Sequence, residues 1–241
     1  MSEQKLTLTQ HLQELRTCLI RSVVTIVVGM GVSLYFSKSI FRLLQKPLLT
    51  TLPWGSHFIA TSPLEAWTTY LKVSLLTGFF LSLPVIFYQL WSFIAPGLYR
   101  NEKKIAFLFV AFSTLFFVGG GFFGYFVIFP IGFKFFVTAL EGTDITLLPV
   151  MKDYLGFIIR MLFIFGLIFE TPLILVLLAQ IGIVNRRQLA SARRYLIVLA
   201  FLIAGVLTPG PDVVSQLLLA LPLLGLYEIS LIVIRLIEKK K

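Results

Sequence analysis

The chain has 241 residues, of which 58% are hydrophobic and only 13% charged, with a mean hydropathy of +0.94. A soluble domain has about a quarter of its residues charged, so a water-soluble fold is excluded, and an all-α integral membrane protein is predicted. The net charge of +10 is spread over short loops and never interleaved with aromatics on one face, which argues against nucleic acid as a partner.

Taken in chain order, residues 1–18 are polar and amphipathic. Thr7 and Gln10 have the spacing of a capping box. Leu8, Leu12, Leu15 and Leu19 recur at helical spacing, with Gln10, Glu14, Thr17 and Arg21 on the opposite face. The expectation is a helix along the membrane surface. Six apolar spans follow, at about 19–37, 67–91, 105–130, 154–180, 195–208 and 213–234, in a single membrane domain, 1–241. Their apolar runs are continuous rather than alternating, and a helix satisfies its own backbone in lipid. The fifth span is the short one: its 14 residues would reach only about 21 Å against a hydrocarbon core of about 30 Å.

Basic residues orient the spans. With both termini cytoplasmic, fourteen of the 21 Lys and Arg residues fall on that side and five on the other. No cleavable signal peptide is read, because no small-residue site follows the first span. Cys18 is the only cysteine, so neither an intrachain disulfide nor a cysteine metal cluster can form. His11 and His57 fall on opposite sides of the membrane. Neither metal nor cofactor is expected.

Among so many basic residues, two anchored acids stand out on the cytoplasmic side. Glu14 lies on the polar face of the first helix. Glu102 follows Asn101, a candidate N-cap for the third span. An acid there complements the helix dipole. Two fixed carboxylates on one surface can also each accept a bidentate guanidinium, which suits a ligand with paired arginines.

Within the spans, Lys72 and Arg160 are close enough to the outer ends to snorkel. Glu170 is about 24 Å along the fourth span and cannot. It must be protonated, face a wet cavity or meet a polar partner. Thr208 and Gln216 flank the last turn, either recapturing freed backbone and facing water or forming a polar docking face. Gly119-Gly120-Gly121 permits close backbone approach or a kink.

Five motifs then fall in order along the chain: His11-Leu12-Gln13-Glu14-Leu15-Arg16, Ser62-Pro63-Leu64-Glu65, Phe93 to Lys104 (FIAPGLYRNEKK), Phe165 to Pro172 (FGLIFETP) and Pro211 to Gln216 (PDVVSQ). Together they resemble the TatC family, the multi-spanning receptor subunits of the twin-arginine protein translocase. The resemblance implies a cupped six-helix fold with short fifth and sixth helices in the cell inner membrane. It also implies export of folded proteins on the proton gradient, without nucleotide hydrolysis or any other enzymatic activity. Glu14 and Glu102 match the acids that receive the twin arginines of signal peptides. Arg16, Pro96, Leu98 and Tyr99 match the surrounding surface. Glu170, Thr208 and Gln216 match polar contacts for single-span TatA and TatB type subunits, and Asp212 matches the outer loop. Membrane lipid and further copies of the chain are the other implied partners. Cys18 departs from the family, which often has a second basic residue there. The turn Thr208-Pro-Gly-Pro-Asp212 is one residue longer than the commoner form, which loosens the register of Thr208 against Gln216. A proton-coupled secondary transporter of a small solute is the alternative class. Such proteins often carry internal repeats and broken midplane helices, and neither is read here.

Overall fold

A computed structural model describes residues 8–53, 55–94, 103–143, 145–208 and 212–238. The described residues are helical apart from short connections and one isolated parallel bridge, Ile59 with Val150. The helices are α1 (Leu8–Leu49), α2 (Pro63–Ile94), α3 (Lys103–Phe123), α4 (Phe129–Thr138), α5 (Met151–Gln180), α6 (Arg186–Leu207) and α7 (Val213–Glu238). A π-helical segment, Gly124–Ile128, joins α3 to α4, so together they make one apolar passage. Among the described residues, six such helical passages are long and apolar enough to cross a membrane.

The helices outrun the predicted spans, and the reason is the same each time: charge ends an apolar run without ending a helix. α1 is one uninterrupted 42-residue helix, about 63 Å long. The amphipathic segment and the first span are therefore parts of one element. Past Lys38 it keeps an apolar face through Phe41, Leu44 and Leu48, all buried. The third passage continues to Thr138 because the π segment lets the helix resume at Phe129. α6, with 22 residues or about 33 Å, is longer than the fifth span it carries, whose apolar run begins only at Tyr195. It starts at a capping box in which the Asn185 N–H donates to Gln188 Oε1 at 2.8 Å, and it runs straight through four arginines. The sixth, α7, has 26 residues, and it and α6 are the two shortest of the six passages. The capping box expected at Thr7 lies outside the described residues, as does the Asn101 cap.

The chain divides into two compact units. One takes the residues up to Arg42 and Ala66–Leu115; the other takes Leu43–Glu65 and everything from Phe116. In the first unit, α1 and α2 cross at glycine. A Cβ on Gly78 would stand 2.4 Å from the Met30 backbone nitrogen, and one on Gly29 would stand 2.9 Å from the Gly78 carbonyl oxygen. With little hydrophobic drive between helices in lipid, such close backbone packing is the main adhesive. Nearer the other end of α2, Trp91 Nε1 donates to Ser113 Oγ at 3.0 Å, and its ring lies 4.8 Å from that of Phe109.

In the second unit, α3 and α5 meet the same way. A Cβ on Gly120 would fall 2.3 Å from the Phe165 carbonyl oxygen, and one on Gly166 would fall 2.6 Å from the Phe117 ring. Gly119 has open space instead, so of the two roles left open for the glycine run, Gly120 serves close approach. Phe129, Phe133, Tyr154 and Phe157 form an aromatic cluster beside this seam. Leu189 of α6 packs with Tyr227, Leu231 and Ile234 of α7, and the Tyr227 hydroxyl donates to the Leu189 carbonyl at 2.6 Å.

Candidate functional site

In the first unit, α1 and the last turns of α2 enclose a groove of about 550 Å³. Gln10, Gln13, Glu14, Thr17, Cys18 and Arg21 line it from α1, and Gln89, Ser92 and Phe93 from α2. The four polar-face residues expected from helical spacing are all among them. Leu12, Leu15 and Leu19, on the opposite face, are exposed. The amphipathic pattern therefore aims polar side chains into the groove and leucines outward. Glu14 and Arg16 are both exposed, but only Glu14 lines the groove. Cys18, the departure noted above, lines it as well. Pro96, Leu98, Tyr99 and Glu102 belong to the connection between Ile94 and Lys103, outside the described residues.

In the second unit, Glu170 is buried on α5, at 5% exposure, two residues before Pro172. Thr208 is buried at the end of α6, where its Oγ1 donates to the Ala204 carbonyl at 2.9 Å. That carbonyl also accepts the Thr208 N–H at 2.9 Å, so it is not a group freed by the following proline, and the hydroxyl adds a second bond to it rather than recapturing lost backbone. Gln216 is half-buried, and its Nε2 lies 3.2 Å from where a Cβ on Gly205 would stand. Gly205 lets this side chain lie against α6, so Gln216 packs on the helix that ends at Thr208. Thr208 and Ser215 together edge a small, mainly apolar cavity with Phe129, Phe133 and Phe165.

Asp212 is the N-cap of α7: its Oδ1 accepts the Ser215 N–H at 2.7 Å. Burial pushes its carboxyl up. The backbone N–H and hydroxyl of Ser215, with the N–H groups of Asp212 and Val214, outweigh that and hold it below the usual carboxylate range.

One polar residue stands out that spacing assigned no role. Glu65 is 4% exposed. Its Oε2 accepts the Thr61 N–H at 2.6 Å and the Thr61 hydroxyl at 2.7 Å, while its Oε1 accepts the Lys152 N–H at 2.9 Å. Glu65 thus ties down the chain entering α2 and caps the first turn of α5. Beside it, the Ile59 N–H donates to Pro149 O and the Met151 N–H to Ile59 O, each at 3.0 Å. The available signal was Ser62-x-x-Glu65, a capping-box spacing.

A helical, multi-pass membrane protein with polar side chains collected at a groove and at a helix hairpin is the class these features define. Residues 10–222 match the family described as Sec-independent protein translocase protein (TatC). The Sec-independent protein translocase protein TatC of Desulforapulum autotrophicum is 46% identical over 239 residues, covering 99% of this chain and 88% of that one. The protein of the same name from Aquifex aeolicus is 39% identical over 236 residues, 97% of each chain. A solved structure described as the twin arginine translocase receptor TatC superposes with a TM-score of 0.81 at 39% identity, covering 94% of this chain and 98% of that one. The chain belongs to the TatC family.

Proposed function

We propose that this protein is the signal-peptide receptor and core subunit of a twin-arginine translocase, exporting folded proteins across the cell inner membrane on the proton gradient. The observation that carries the reading is the polar groove lined by Glu14, inside the region that matches the family. Both termini are cytoplasmic on this reading, which puts the groove where a precursor arrives, and the helices surround a cupped face. Glu14 and Glu102 each accept one guanidinium of the arginine pair, with Arg16, Pro96, Leu98 and Tyr99 forming the rest of the surface. Glu170, Thr208 and Gln216 meet polar residues of single-span TatA and TatB type subunits, and several copies of the chain assemble in the receptor complex.

Charge-assisted hydrogen bonds are each worth about 1.5–3 kcal/mol, or roughly a 10- to 100-fold change in affinity. A labelled twin-arginine signal peptide titrated onto the purified protein should therefore bind at least tenfold more weakly to Glu14→Lys or Glu102→Lys. A twin-lysine peptide, lacking the planar fork, should bind weakly throughout and respond little. Unchanged twin-arginine binding by both variants would reject these sites.

A further inference from the structure

We propose that the N-terminal half of α6 binds the phosphodiester headgroup of an anionic phospholipid through Arg187 and Arg194, with acyl chains lying along Val198 and Leu202. At 100° per residue, Arg187, Arg194, Val198 and Leu202 follow one stripe of the helix, with Tyr195 on its flank. The stripe lies opposite the buried side of α6, which is marked by Leu189, Ala200 and Ala204. Tyr195, Val198 and Leu202 are 64%, 66% and 60% exposed. It therefore passes from cationic to apolar within one turn. That is the order in which a lipid presents its phosphate and its chains, and the tyrosine sits at the level where aromatic rings anchor at the interface.

The inside-positive distribution of charge explains why arginines are present; it does not explain their state. Arg193 is consumed by Glu228, at 2.6 Å. Among the described residues, Arg187 and Arg194 have no carboxylate partner. Arg194 is instead held in place: its guanidinium lies 4.7 Å over the Tyr195 ring, and its Nη2 donates to the Tyr195 hydroxyl at 2.9 Å. A stacked guanidinium is pre-ordered, and its remaining N–H groups match phosphate oxygens. Arg187 stands seven residues earlier on the same stripe, about 10.5 Å along the axis. It supplies a second cation to the same headgroup layer.

The test uses the full-length protein, purified in detergent and titrated with phosphatidylglycerol or phosphatidylcholine, with retained lipid counted by native mass spectrometry. The wild type should retain several-fold more phosphatidylglycerol than phosphatidylcholine. R187Q/R194Q should fall to the phosphatidylcholine level, and Y195A should lose part of the preference. Arg160→Gln, on another helix, should change nothing. Unfolding midpoints without lipid should match among the variants, since these side chains are exposed. Phosphatidylglycerol retention by R187Q/R194Q equal to wild type would overturn the proposal. So would displacement of the lipid by millimolar inorganic phosphate, which would mark a site for a soluble anion.

Discussion

Glu65 accepts the backbone N–H of Lys152 at 2.9 Å, joining the first turn of α2 to the first turn of α5 across 87 residues of sequence. Helix starts leave unsatisfied N–H groups, and here one of α5's is met by a carboxylate borrowed from another helix. Two further hydrogen bonds from Thr61 fill the other oxygen. Glu65→Ala should lower the unfolding midpoint in detergent, because it strands the Lys152 N–H and both Thr61 donors at once. Glu65→Gln keeps one acceptor oxygen and should fall between alanine and wild type. Equal midpoints for all three proteins would remove the clasp from the account.

The seam between α3 and α5 gives a sharper contrast within one tripeptide. A methyl on Gly120 would collide with the Phe165 carbonyl, which is backbone and cannot swing aside, whereas one on Gly119 meets nothing within 4 Å. Overpacking of this kind typically costs about 1–3 kcal/mol. Gly120→Ala should therefore reduce stability by about that amount in a detergent unfolding titration, and Gly119→Ala should leave it within about 0.5 kcal/mol of wild type. Comparable losses at the two positions would show that flexibility, not contact, is what the glycine run provides.

These two cases also mark where local sequence pattern stops and tertiary contact begins. Apolar length located all six passages, and the helical period of Gln10, Glu14, Thr17 and Arg21 identified the face that lines the groove. Both are local properties of the chain. The helix ends were harder, because Lys38 and Arg186 stop a hydropathy window without interrupting backbone hydrogen bonds. The role of Glu65 is not legible in Ser62-x-x-Glu65, since a capping pattern describes a helix's own start and says nothing of a second helix far along the chain. The choice between Gly119 and Gly120 depended on Phe165, which no spacing within the tripeptide could supply. Pro96, Leu98, Tyr99 and Glu102 remain sequence-based expectations, of which the peptide titration addresses Glu102.

Asp212 offers a test by pH. Its carboxylate caps α7 through the Ser215 N–H, and its folded-state pKa is lowered. A lowered value means the stabilisation is complete above the unfolded-state pKa, about 3.9. It is then lost as pH falls through the folded-state value. The cap should therefore contribute fully at pH 7, and Asp212→Ala should cost about 1 kcal/mol there. Asp212→Asn can still accept the N–H but has no charge to lose. Between pH 5 and pH 3 the gap in unfolding midpoint between wild type and Asp212→Asn should shrink. A gap independent of pH would mean that the charge does not support the cap.

Glu170 poses a different question, since a buried carboxyl in a span is expensive unless it serves a purpose. On insertion scales a charged acid at the centre of a helix costs about 2.5–3.5 kcal/mol, and at 5% exposure water gives little relief. If the group is kept for polar contact with a single-span partner, its loss should separate two activities. Glu170→Ala should bind twin-arginine peptide like wild type, because the groove lined by Glu14 belongs to another part of the chain. The same variant should co-purify several-fold less partner subunit and lose export. Glu170→Gln refines the reading: it keeps the hydrogen-bonding shape without ionisable charge. Retained partner recovery in Glu170→Gln would assign the contact to neutral hydrogen bonding, and a loss as deep as in Glu170→Ala would assign it to the carboxylate. Normal export by Glu170→Ala would count against the partner role altogether.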